Sequence, residues 1–335
     1  MLRRLIALLV LIVSLAAGGA WAVWRGLNEP YRGFTGGEVF VELPQGARSA
    51  EIAGRLADAG VVADALTFRI AVRLAKADRH LQAGEYRFTD AATPDQIVAR
   101  LSRGDTFRRA LTFPEGLTIR EMAAIFENSG MGRAGDFIQA ANAVSLVSDL
   151  DPDAGNLEGY LFPSTYSLPR RAGADGTIRA MVKEFRKALG NEPLPEGVSV
   201  RDLVTLASIV EKETSQSSER PVVAGVYANR LRIHMALQCD PTVIYALMLN
   251  GKWNGNIRKD DLTIDSPYNT YRYPGLPPGP IASPGKASLD AARHPANVPY
   301  LYFVSRNDGT HVFASTLAEH NRNVHAFQSI KRLVK

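Results

Sequence analysis

The chain has one cysteine, Cys239, in 335 residues, which excludes an internal disulfide and any cysteine-built zinc site. Its six histidines include no H-E-x-x-H, and His320 and His325 stand five apart, so they do not share a helix face for a metal. His320 reads instead as a structural or pocket-edge residue. No G-x-S-x-G is present, which disfavours a serine nucleophile on a strand-to-helix elbow. "GPIASPGKAS" is one residue too long for a phosphate loop, and Ala287 stands where a magnesium-binding hydroxyl belongs. "SPGK" (Ser283 to Lys286) has the S-x-x-K spacing of penicillin-recognising enzymes, but Pro284-Gly285 prevents the helical turn that chemistry needs, and no K-T-G follows. There is no low-complexity tail and no nucleic-acid module. Neither sign of charge dominates: the net charge is +5, a modest basic excess that suits an anionic partner such as phospholipid or an acidic envelope polymer. What remains is carboxylates with aromatic and amide side chains, the equipment for cutting a sugar polymer.

The amino terminus is more decisive. "MLRR" precedes "LIALLVLIVSLAAGGAWAVW", a stretch of Leu5 to Trp24 without a charge, long enough to cross a hydrocarbon core. Arg3 and Arg4 on the short leading side predict a cytoplasmic amino terminus, with Trp21 and Trp24 as an interfacial belt at the far end. A cleaved signal peptide is the rival, since Ala20-Trp21-Ala22 fits A-x-A. The long apolar run and the bulky Trp favour an uncleaved anchor. Either reading exports the remainder.

A linker, residues 25–37, leads to a small α+β module over 38–110 and then to a mixed, mainly helical domain over 111–335 that ends in a β hairpin. The expected fold class is therefore α+β behind a transmembrane helix. Within it lies a weak repeat. "VELPQGARSAEIAGRLADAG" (Val41 to Gly60) aligns without gaps with "LTFPEGLTIREMAAIFENSG" (Leu111 to Gly130). Each copy reads as a short strand, a Pro-x-Gly turn and an amphipathic helix ended by glycine. "TPDQIVARLSRG" predicts a helix with Thr93 as N-cap and Pro94 in its first turn. Further helices are expected over 135–147, 174–190, 200–214, 218–234 and 241–249, and a short one from Ser288. "SPYNTYRYPGLPPGPIASPG" is too rich in turn formers for helix. Asn307-Asp308-Gly309 turns the hairpin, and the last helix covers "TLAEHNRNVHAFQSIKRLV".

In "VRDLVTLASIVEKETSQSSER" one apolar stripe runs through Val200, Leu203, Val204, Leu206, Ala207 and Val210, with Glu211 near its edge. A carboxylate there must be paired or hold a proton. Apolar surroundings would raise its pKa, which makes Glu211 the first candidate for a general acid. Glu213 lies on the other flank. The plainer reading of either is a charge at a stripe edge, paired with Arg220 or Arg230. Glu158 in "NLEGYLFPSTY" either lines a groove or caps a turn. Gln238 and Asp240 in "LQCDPTVIYAL" are pocket candidates, with Asp240 before Pro241 also reading as a helix N-cap. Tyr268, Asn269 and Tyr271 suit sugar stacking and acetamido hydrogen bonds, or a rigid turn.

Together "LEGYLFPSTY", "LASIVEKET", "VAGVYANRLRIHMALQCDPTVIYAL", "SPYNTYRYPGLPPGPIASPG", "HPANVPYLYFVSR" and "GTHVFASTLAEHN" resemble the YceG-like endolytic murein transglycosylases (MltG) over roughly 157–325. Ser164 departs from the Asp common there. The anchor and a LysM-like module also match that family's layout. The resemblance implies a lyase of the inner membrane, with its catalytic domain in the periplasm. It would cut the MurNAc–GlcNAc bond within nascent peptidoglycan strands and leave 1,6-anhydroMurNAc ends that terminate elongation. It maps the catalytic glutamate onto Glu211 and pocket roles onto Glu158, Glu213, Gln238, Asp240, Tyr268 and Asn269. It calls for no metal or other cofactor and no nucleic acid. Contact with cell-wall synthases is implied by the family alone. A muramidase using water on the same bond and a non-catalytic peptidoglycan-binding scaffold are the alternatives.

Overall fold

The uncharged amino-terminal run forms one helix, α1 (Leu2–Asn28), in a computed structural model that describes residues 2–328. Its segment Ile6–Asn28 is long and apolar enough to cross a membrane, and none of its most apolar stretch is buried in the protein. The helix runs past the expected end at Trp24 into the linker, because Leu27 packs onto the core formed by residues 41–101.

The chain divides into two compact units: residues up to Arg109 with Ser167–Arg171, and Ala110–Tyr166 with everything from Ala172 on. In the first, β1 (Val39–Leu43), α2 (Ser49–Asp58), α3 (Ala65–Leu74), β2 (Gly84–Phe88) and α4 (Pro94–Arg103) come after α1. The strands pair antiparallel, from Val39 opposite Phe88 to Leu43 opposite Gly84. Val41 and Leu43 alternate inward from β1 onto Phe68, Ile97 and Leu101. The α4 boundaries are set by its sequence. Thr93 and Gln96 form a capping box, Pro94 opens the helix, and left-handed Gly104 closes it.

The second unit contains β3 (Arg109–Phe113), α5 (Ile119–Asn128), α6 (Ala134–Ala140), β4 (Ser164–Leu168), α7 (Gly173–Leu189), α8 (Val200–Glu213), α9 (Arg220–Arg232), α10 (Asp240–Leu249), α11 (Lys286–Arg293), β5 (Tyr302–Ser305), β6 (His311–Ala314) and α12 (Leu317–Gln328). The predicted repeat is present to the residue. β3 and α5 start and stop at the positions aligned with β1 and α2, and Gly46 and Gly116 turn with φ of 79° and 76°. It also extends further than the sequence suggests. Each strand–helix pair continues into a second helix and a strand that pairs with the first, β1–α2–α3–β2 and then β3–α5–α6–β4.

Three expectations need correction. The helix over 135–147 stops at Ala140 and resumes only as a 3-10 turn, because the Ala141 carbonyl accepts from Leu157 N–H instead of continuing the ladder. α11 starts at Lys286, before Ser288. Most relevant to the site, α8 does not have a single apolar stripe: every residue from Leu203 to Val210 is buried, with α9, α10 and α11 packed around it. Ser199 and Asp202 cap it with a reciprocal box. The β5–β6 hairpin turns at Asn307 to Gly309 as read from sequence. Of the final expected helix, residues beyond 328 lie outside the described part.

Candidate active site

At the end of α8 the two glutamates of "EKE" have different surroundings. Glu211 does not sit among aliphatics. Its Oε1 accepts from Arg220 Nη2 at 2.9 Å and its Oε2 from Gly285 N–H at 3.0 Å, with both side chains under a tenth exposed. Arg220 also reaches Glu115 at 3.4 Å, and Lys212 donates to the Gly116 carbonyl at 3.0 Å. Of the two ways to offset the burial of a carboxylate, pairing is the one in place. This cluster fastens the Pro114-Glu115-Gly116 turn to α8, α9 and the start of α11.

Glu213 has no cation on it among the described hydrogen bonds. Its Oε1 accepts from Tyr227 Oη at 2.7 Å and Cys239 Sγ at 3.1 Å. Burial raises its pKa, against those two donors, and nearby Asp240 adds to the rise. Burial likewise keeps the Tyr227 phenol and the Cys239 thiol protonated, so both can donate. Glu213 lines a cavity of about 390 Å³ with Gln238, Asp240, Tyr271, Arg230 and His320.

The wall opposite is built at the entry to α10. Gln238 adopts φ 48°, unusual for a residue with a side chain, and its N–H is held by the Thr270 carbonyl at 3.1 Å. Asp240 is not the helix cap that Asp-Pro suggested. Cys239 occupies the N-cap position without a side-chain bond, and Asp240 instead accepts from Tyr271 Oη at 2.6 Å. His320 stacks on Tyr302 with ring centroids 5.2 Å apart, at the pocket edge as its sequence position suggested.

Glu158 lies elsewhere. It lines a second cavity of about 500 Å³ with Arg120, Asn142, Asn156, Tyr245 and Trp253. Its carboxyl accepts from Ile119 N–H at 3.1 Å and Tyr245 Oη at 3.3 Å, and burial lifts its pKa to about 8. Tyr268 belongs to this side, packed on Tyr245 with ring centroids 4.9 Å apart. Asn269 lines neither cavity. It is wholly buried, its amide donates to the Leu262 and Ile264 carbonyls, and its Oδ1 accepts from Tyr271 N–H, which is the rigid-turn reading. The structure therefore brings Glu213, Gln238 and Asp240 together and separates them from Glu158 and Tyr268.

Sequence reading did not single out Tyr227 and Cys239, which hold Glu213, or the buried set of Asp151, Tyr160 and Arg201. There Tyr160 Oη donates to Asp151 at 2.6 Å, and Arg201 ties Asp151 to the Pro278 carbonyl at 3.1 Å. No short motif signals such pairs, since the partners come from distant elements. Among the described residues no group of three or more His, Cys, Asp or Glu is placed to hold a metal ion.

Comparison with known proteins bears on most of both units. The YceG-like family model matches residues 41–326. An endolytic murein transglycosylase of Bacillus subtilis (strain 168) is 33% identical over 336 residues, covering 95% of this chain and 92% of its own. Its counterpart in Streptococcus pneumoniae (strain D39) is 30% identical, over 95% of this chain but only 64% of the longer relative. The crystal structure of a YceG-like protein from Listeria monocytogenes superposes with a TM-score of 0.56 at 33% identity, covering 85% of this chain and 99% of that one. This chain belongs to the YceG-like family.

Proposed function

We propose that the protein is a lytic transglycosylase, a lyase that cuts the MurNAc–GlcNAc bond inside peptidoglycan glycan strands and leaves 1,6-anhydroMurNAc ends. Family membership and the name shared by the relatives support the reaction class. The observation that carries the site is Glu213: a buried acid with a raised pKa, held by neutral donors on the wall of a cavity. Such an acid keeps its proton near neutral pH and can give it to the bridging oxygen as the sugar develops oxocarbenium character. As a carboxylate it then takes the proton from the muramic acid C6 hydroxyl, which closes the anhydro ring. One carboxylate serves both steps because the nucleophile belongs to the substrate, unlike a glycosidase with two placed acids.

This moves the proton-carrying role from Glu211, where sequence reading put it, to its neighbour. Glu211 is committed on both oxygens to Arg220 and Gly285, a bonding pattern suited to holding the Glu115 turn. Gln238 and Asp240 are assigned to substrate binding beside Glu213, and Glu158 with Tyr268 to a separate part of the glycan's surroundings. Residues 5–24 serve as a single-pass inner-membrane anchor with a cytoplasmic amino terminus, which places the second unit in the periplasm near nascent strands. Two helices carried between paired strands fit a LysM-like reading of 38–110.

The test is product analysis on purified glycan strands. Glu213→Gln is expected to stay folded and lose anhydro-ended products by at least about a hundredfold, within the range of general acid–base catalysis. Glu211→Gln should lose stability, because it leaves the buried Arg220 charge short of a partner, yet its folded fraction should still cut. The reverse pattern returns the role to Glu211. Products heavier by one water would make the enzyme a muramidase instead.

A further inference from the structure

α3 carries two of the most exposed large aliphatic side chains outside α1: Leu66 at 62% and Leu74 at 68%. Both faces of this helix are patterned. Thr67, Phe68, Ala71 and Val72 are buried in the first unit. On the outside, Leu66, Ile70 and Leu74 recur at a spacing of four, one stripe at about 100° per residue. Arg69 and Arg73 flank that stripe, both exposed, and exposed Lys76 and Arg79 continue the basic run past the helix end. The two nearby acids have partners: Asp64 accepts from Thr67 as the N-cap, and Asp78 from Ser49 at 3.4 Å. An outward apolar stripe edged by arginines is not what a water-facing helix of a small module requires.

Its position supplies the reason. Gly26 of α1 lies against Thr67, where an added Cβ would stand 3.1 Å from the Thr67 methyl group. Leu74 and Ala75 line one cavity with Leu27 and Asn28. Thr67 and Leu74 are roughly 10 Å apart along α3 at 1.5 Å per residue, yet both meet the same turn of α1. α3 therefore crosses the end of α1 instead of running beside it. A helix that crosses the end of a membrane span lies in the plane of the bilayer surface.

We propose that the outer face of α3 is a membrane-interface surface, with Leu66, Ile70 and Leu74 bedded at the acyl–headgroup boundary of an anionic bilayer and Arg69 and Arg73 on lipid phosphates. The inference rests on α1 spanning that bilayer. It turns a flexible tether into a fixed mount: the first unit is held flat on the lipid by two elements.

The experiment uses the full chain in nanodiscs of phosphatidylethanolamine and phosphatidylglycerol. The variants Leu66→Cys, Leu74→Cys, Val13→Cys and Ser217→Cys each carry an environment-sensitive fluorophore, with buried Cys239 left in place. Labels at 66 and 74 are expected to be quenched several-fold more by a shallow lipid-borne spin label than the label at 217, and several-fold less by aqueous iodide. Replacing phosphatidylglycerol by phosphatidylcholine should reduce the lipid quenching at 66 and 74; no change overturns the role given to the arginines. Iodide quenching at 66 and 74 equal to that at 217 overturns the proposal. So does shielding from both quenchers, which would indicate a protein partner or a second copy. If the label at 13 escapes the lipid quencher, the anchor reading itself has failed, and that outcome is distinct from the others.

Discussion

Glu211 and Glu213 are separated by one lysine, and the fold gives them opposite partners, a guanidinium for one and a phenol with a thiol for the other. Sequence periodicity places both at the end of a helix but says nothing of which distant residue meets them. The pairing of Glu211 with Arg220 was legible as the plainer alternative; the Tyr227–Cys239 cradle was not, since it depends on the course of α9 and the entry to α10. Glu158 gives the sharpest test at this scale. Its folded-state pKa of about 8 lies above the ordinary 4.5, so the native state holds a proton that the unfolded chain has released between those values. Stability from this group is complete at low pH and falls as pH rises from 4.5 through 8, by on the order of 4 kcal/mol. Glu158→Gln should flatten that dependence and exceed the wild type in stability at pH 9, as read by thermal unfolding from pH 5 to 9. An identical slope in the two proteins would refute the assignment.

Elements were more legible than partners. The repeat, the Thr93 cap, the hairpin turn and five of the longer helices follow from local chemistry, which acts over a few residues. The second helix and closing strand of each repeat copy were not legible, because their sequences have diverged while their packing partners remain. α8 was misread as amphipathic, since a helix buried on every side offers no polar face for periodicity to find. Glycines make the distinction between local and tertiary control testable. By propensity alone, replacing a mid-helix glycine with alanine gains about 1 kcal/mol. At Gly54 of α2 an added Cβ meets nothing within 4 Å, so Gly54→Ala should raise the melting temperature. At Gly225 of α9 it would stand 2.4 Å from the Ala296 carbonyl oxygen, a backbone atom that cannot swing away. Gly225→Ala should therefore lose roughly 2 kcal/mol despite its better propensity. Calorimetry on the pair checks both signs, and a stabilised Gly225→Ala would mean the 296–298 segment is looser than described.

At the scale of the whole molecule, address and chemistry occupy different units. Every residue assigned to the reaction lies in the unit that begins at Ala110, while α1 and its ties through Gly26 and Leu27 belong to the other. A chain that starts at Arg25 removes the span but keeps those ties, so the first unit retains its core. It should leave the membrane fraction, and on soluble glycan strands it should yield the same anhydro-ended products within about twofold of the full chain, because no group in α1 touches the proton-transfer cavity. On strands still bound to membranes the expectation differs. Tethering raises the local concentration of enzyme at the bilayer, and losing it should slow cutting there by at least about tenfold. Assays of both substrates, with one preparation of each protein, separate the two effects. Equal rates on membrane-borne strands would mean that the anchor does not position the enzyme, and that the reach of the second unit is set by something other than the helix at its amino terminus.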